Sequence, residues 1–137
     1  MFDWSHQTLQ DQLANVSNST QVIFAHPHYH NQKRIAHHFI IQPNTLYVAF
    51  VGDNLSTRDL NGQVAYAREN TDETSIHTVI FDDCDHSKNT AFNDFLIQYA
   101  NEHQQQTLVV ISRRVPYQLL EDDDFRSRST FIPHNPD

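Results

Sequence analysis

The sequence predicts an α/β domain: a three-layer sandwich with a five-stranded parallel sheet, preceded by one extra N-terminal helix. Two observations carry this. Short apolar blocks alternate with amphipathic stretches along the whole chain, the pattern of strands joined by helical crossovers. The middle blocks are apolar almost throughout, as strands buried on both faces of a parallel sheet must be. With 137 residues, no internal repeat and no long linker, a single domain over 1–137 is expected.

The elements follow in order. Phe2, Leu9, Leu13 and Val16 recur at helical spacing, with Asp3 or Ser5 as a cap. Val22, Ile23 and Phe24 form the first strand, and His26 to Asn31 reads as a polar loop containing Pro27. A helix is predicted over Gln32 to Ile41, ending before Pro43. Thr45 to Val51 is the second strand, Gly52-Asp53-Asn54 a turn, and Ser56 or Thr57 caps a helix running to about Glu69. Ile76 to Phe81 is the third strand, with Asp82 to Ser87 as its acidic exit loop. A helix over Asn89 to His103 presents Phe92, Phe95, Leu96 and Tyr99 on one face. Thr107 to Ile111 is the fourth strand, Pro116 to Phe125 a short helix, and Ser129 to Ile132 a short fifth strand.

Composition narrows the function. No apolar run approaches the ~20 residues of a membrane span. Met1 to Gln10 lacks both the basic and the apolar region of a signal peptide. A single cysteine, Cys84, precludes an internal disulfide or a Cys-rich zinc site, and a cytoplasmic location is expected. A formal charge of −8 argues against direct nucleic-acid binding by this segment, because that affinity rests on many Lys and Arg contacts to phosphate. The chain has two glycines, Gly52 and Gly62, and neither follows the first strand. A nucleotide cradle needs glycine there so that the backbone can approach the phosphates.

Ligands of open parallel sheets bind beyond the carboxyl ends of the strands, so the exit loops carry the candidate chemistry. After the third strand, Val79-Ile80-Phe81-Asp82-Asp83 has the form of a Walker B strand, whose acids hold Mg²⁺ and orient water. The same acids also suit an ordinary helix entry. After the fourth, Ile111-Ser112-Arg113 places a polar residue and an Arg where a phosphate can be reached. Arg113 is equally suited to pairing with Asp82 or Asp83. Cys84 lies between acids, which disfavour a thiolate and make it a structural residue.

Together these motifs resemble the signal-transduction NTPases with numerous domains (STAND), the group of the MalT-like bacterial transcription regulators. The resemblance covers Ile76 to Pro133, including Pro116 after Arg113-Arg114 and the strand Thr130-Phe131-Ile132. It implies a P-loop NTPase-like sheet of order 5-1-4-3-2, with Asp82 and Asp83 Walker B-like and Ser112 and Arg113 sensor-like. The chain departs from it at the phosphate loop. Aligned on Lys33, the Walker A pattern finds Pro27 and Gln32 at its glycines and Arg34 at its hydroxyl. Lys33 and Arg34 are then a degenerate phosphate loop, and Pro27 lacks an N–H donor. The reading is a regulatory or interaction module, working with a protein partner or with further domains of a multidomain regulator, and needing no cofactor.

A second reading comes from the histidines. His26 and His28 lie beside the first strand end, and Asp82 and Asp85 beside the third. Converging loops could hold Zn²⁺ or Mn²⁺ and activate water for hydrolysis. Against it, five of the ten histidines fall within His26 to His38, which a His-rich composition alone produces. A third reading, a switch binding ATP with Mg²⁺ through an unusual loop, conflicts most with the glycine count.

Overall fold

Five apolar segments pair side by side, all parallel, in the order β2-β3-β4-β1-β5. They are β1 (Gln21–Ala25), β2 (Thr45–Ala49), β3 (Thr78–Asp82), β4 (Thr107–Ser112) and β5 (Ser129–Pro133). Read from the other edge this is 5-1-4-3-2, the order expected. The computed structural model describes residues 21–25, 29–82, 90–113 and 117–133. The helix expected over Phe2 to Val16 lies outside them, as do His26, His28, Asp83, Cys84, Asp85 and Pro116.

Side chains alternate between the sheet faces and divide the core in two. Val79, Phe81, Leu108 and Val110 face one cluster with α2 (Thr57–Glu69), α3 (Thr90–Glu102), α4 (Tyr117–Glu121) and α5 (Asp123–Ser127). Ile80, Val109 and Ile111 face a second cluster with Ile35, Ala36 and Phe39 of α1 (Tyr29–Ile40). Helices therefore cover both faces, the three-layer arrangement that parallel strands require. Tyr99 fastens α2 to α3: Arg68 Nη2 donates to its hydroxyl at 3.0 Å, and the hydroxyl donates to Gln106 Oε1 at 3.1 Å.

Local chemistry sets the boundaries. Ser56 caps α2 in a reciprocal box: Asp59 N–H donates to Ser56 Oγ at 3.1 Å, and Ser56 N–H donates to Asp59 Oδ2 at 3.0 Å. Before it, Gly52 has φ +115, and a Cβ there would lie 3.0 Å from Leu55 Cδ2, so the turn needs glycine. At the amino-terminal rim, Asn44 O accepts the N–H groups of both His77 (2.8 Å) and Thr78 (3.2 Å). His77 O in turn accepts Thr107 N–H at 2.8 Å.

Several expected boundaries move. The helix after β1 starts at Tyr29 rather than Gln32, so Tyr29, His30 and Asn31 are helical and not loop. The second strand ends at Ala49, not Val51. The third starts at Thr78 rather than Ile76 and takes in Asp82, which the sequence assigned to the exit loop. The single helix expected over Pro116 to Phe125 is two. Asp122 interrupts it, its Oδ1 accepting Phe125 N–H at 2.8 Å to cap α5.

Candidate functional site at the carboxyl rim

Asp82 ends β3 on the face that α1 covers. Strand alternation puts it on the same side as Ile80 and, in the adjacent β2, Tyr47, whose register partner is Ile80. Its carboxylate is 0% exposed. A buried carboxylate is strongly disfavoured unless compensated, and Lys33 and Tyr47 help to compensate it. Lys33 Nζ lies 3.0 Å from Asp82 Oδ2 as ion pair and hydrogen bond. Tyr47 Oη donates to the same oxygen. Lys33 comes from the second turn of α1, and its side chain remains 32% exposed. The trio is a cation, a hydroxyl and an acid joined across two strands and a helix.

The sequence offered Arg113 as the partner of Asp82 or Asp83; the pair seen at Asp82 is with Lys33. Lys33, which the sequence places in a degenerate phosphate loop, is the counter-ion of Asp82. Asp82 and Lys33 are 49 residues apart, and Tyr47 carried no motif, so no local signal announced the trio. Tyr47 was visible only as an aromatic in an apolar strand.

The remaining candidates are placed as follows. Ser112 ends β4 and is buried, 1% exposed, on the opposite face from Ile111; Arg113 follows it and is exposed. Arg34 is half-buried beside Lys33 on α1. Asp83, His26, His28 and Asp85 fall outside the described residues. Among the described residues no group of three or more His, Cys, Asp or Glu is disposed to hold a metal ion. On α1, His37 is exposed and His38 is half-buried, edge-on to Phe39 at 5.0 Å. Burial pushes the His38 imidazole below its ordinary pKa.

With this geometry established, comparison with solved structures gives a fold-level likeness. One such structure is of a DNA polymerase III gamma subunit-related protein from Thermotoga maritima, with a TM-score of 0.55 and 15% identity. What the likeness supports is the α/β fold, a five-stranded parallel sheet with helices on both faces. The match covers 96% of this chain and 46% of the other, so this chain spans less than half of that protein's length. At such identity the likeness concerns the fold, not the activity. No protein-family model matches the sequence, and no curated protein matches it. Among the described residues no helix is long and apolar enough to cross a membrane.

Proposed function

We propose that this domain is a regulatory or interaction module that keeps an NTPase-like framework and does not turn over nucleotide. One observation carries the reading: the acid at the Walker B-like position, Asp82, is buried and bound to Lys33 and Tyr47. In a working site of this kind the lysine contacts phosphate and the acid holds the Mg²⁺ shell. Here each group is engaged by the other. Nucleotide with Mg²⁺ would have to separate the pair and leave Asp82 to be compensated again. The absence of glycine after β1 supports the same reading from the sequence.

The setting would be a multidomain or multisubunit protein of the signalling or transcription-regulator type, as the STAND-like motif order suggests. The structural neighbour is itself described as related to a subunit of a larger enzyme.

Isothermal titration calorimetry with ATP and Mg²⁺ tests this directly. The expected result is no saturable heat up to about 1 mM nucleotide, the weak end of specific binding. Stoichiometric binding that Lys33→Met abolishes would overturn the reading. Elemental analysis of purified protein supplies a second test: one bound Zn or Mn per chain would transfer the site to a metal-dependent hydrolase.

A further inference from the structure

Where α2 and α3 pack side by side, their facing stripes leave a small groove of about 190 Å³. Val64 and Arg68, one turn apart on α2, line it together with Phe95, Tyr99 and Glu102 of α3. Val64, Phe95 and Tyr99 are buried and give the groove an apolar floor, while Arg68 and Glu102 are exposed above it. His103, just past the end of α3, also lines it.

The groove thus holds one fixed cation and one carboxylate, and among the described residues neither has a charged partner. Arg68 donates to the Tyr99 hydroxyl at 3.0 Å. Burial pushes the Tyr99 phenol above its ordinary pKa despite Arg68, so the hydroxyl stays neutral and leaves the guanidinium charge uncancelled. Glu102 accepts from Gln98 Nε2 at 3.0 Å, a neutral donor. In a chain with 17 acids to 9 bases, an arginine without a carboxylate is out of proportion. Its position is also fixed. The Tyr99 hydroxyl that holds it donates in turn to Gln106 Oε1 at 3.1 Å. The His103 ring lies flat on the Tyr99 ring, centroids 4.0 Å apart and planes at 18°. His103 Nδ1 donates to the Tyr99 carbonyl at 3.0 Å, since a carbonyl can only accept. A planar guanidinium held in this way is preorganised for a carboxylate.

We propose that the groove binds a free α-amino acid with an apolar side chain. Its carboxylate meets Arg68, its ammonium meets Glu102, and its side chain covers Val64, Phe95 and the Tyr99 ring. The paired charges select this class. A plain carboxylate or phosphate would also face Glu102, and a plain amine would face Arg68, whereas a zwitterion satisfies both. Size agrees. A groove of 190 Å³ lies below the about 300–1,000 Å³ of sites for larger ligands, so a nucleotide is too big for it and a single amino acid is not. The groove is on the opposite face of the sheet from Asp82, and the inference does not rest on the nucleotide reading.

Calorimetric titration of the full chain with L-valine, L-leucine, L-methionine and L-phenylalanine tests it. At least one should bind saturably with a Kd below about 1 mM. The N-acetyl form of that amino acid lacks the ammonium and the amide form lacks the carboxylate, and each should bind about tenfold more weakly. Glu102→Gln leaves the bond between Arg68 and Tyr99 in place. It should weaken the amino acid about tenfold and leave the N-acetyl form unaffected. Arg68→Gln should weaken the amino acid similarly and spare the amide form, with melting temperature as the folding control. No saturable heat with any of the four up to about 10 mM, or an affinity that Glu102→Gln leaves unchanged, overturns the proposal. If Arg68→Gln does not fold, Glu102→Gln decides alone.

Discussion

The two faces of the sheet are built from different materials. On the face that α2 and α3 cover, Phe50 touches Phe81, Phe92 and Phe95 with ring centroids 5.1, 5.8 and 5.9 Å apart. Phe81 also meets Tyr99 at 5.1 Å. Three segments, the residue after β2, β3 and α3, thus converge on one aromatic knot. The α1 face is mostly aliphatic and ends in a buried ion pair. Consecutive residues of one strand, Phe81 and Asp82, serve the two faces. The knot supplies cohesion, and the opposite side can then tolerate a buried charge at the rim where chemistry belongs.

Substitutions can break or sharpen this contrast, beginning with the largest. Phe81→Ala, which removes a fully buried ring from the knot, should cost about 3–5 kcal/mol by chemical denaturation. Should it cost less than any change at the ion pair, the division of labour is wrong. Lys33→Met should cost about 2 kcal/mol, because it leaves Asp82 buried with Tyr47 and without its lysine. Asp82→Asn should cost less, since the partly exposed Lys33 can turn to water. Urea midpoints for the two variants give the order, and the reverse order would mean that Asp82 does not need its cation.

Away from both faces the effects shrink. Ser56→Ala should remove about 1 kcal/mol by uncapping α2. The smallest effect is in pH. The Ser56 backbone N–H, then its hydroxyl, hold Asp59 below the ordinary aspartate pKa. A lowered acid contributes stability above its unfolded pKa and loses it as pH falls through the folded value. The stability gap between wild type and Asp59→Asn should therefore narrow between about pH 7 and about pH 3. Melting curves at the two ends check the sign.

All five strands were legible in the sequence because each is a compact apolar block, and parallel order followed from the helices between them. The α2 cap was legible in part: the sequence offered Ser56 or Thr57, and Ser56 is the cap. What escaped were contacts between distant residues. Asp82 looks like a loop acid until Lys33 and Tyr47 are seen to compensate it within the strand. Asp122 lies inside the stretch Pro116 to Phe125 that reads as one helix. Its role as the cap that splits α4 from α5 depends on Phe125 being pulled fully into the core behind it. The start of α1 escaped for a simpler reason, because His30 and Asn31 are polar and mimic a loop.

The carbonyl of Asn44, shared by two amides, and that of His77, taken by Thr107, stitch the starts of β2, β3 and β4 together. That seam lies at the end of the sheet away from Asp82. If a partner pries the far rim apart, the seam acts as a fixed pivot: the strands would fan from it like the ribs of a hand fan, and displacement would grow toward the buried carboxylate.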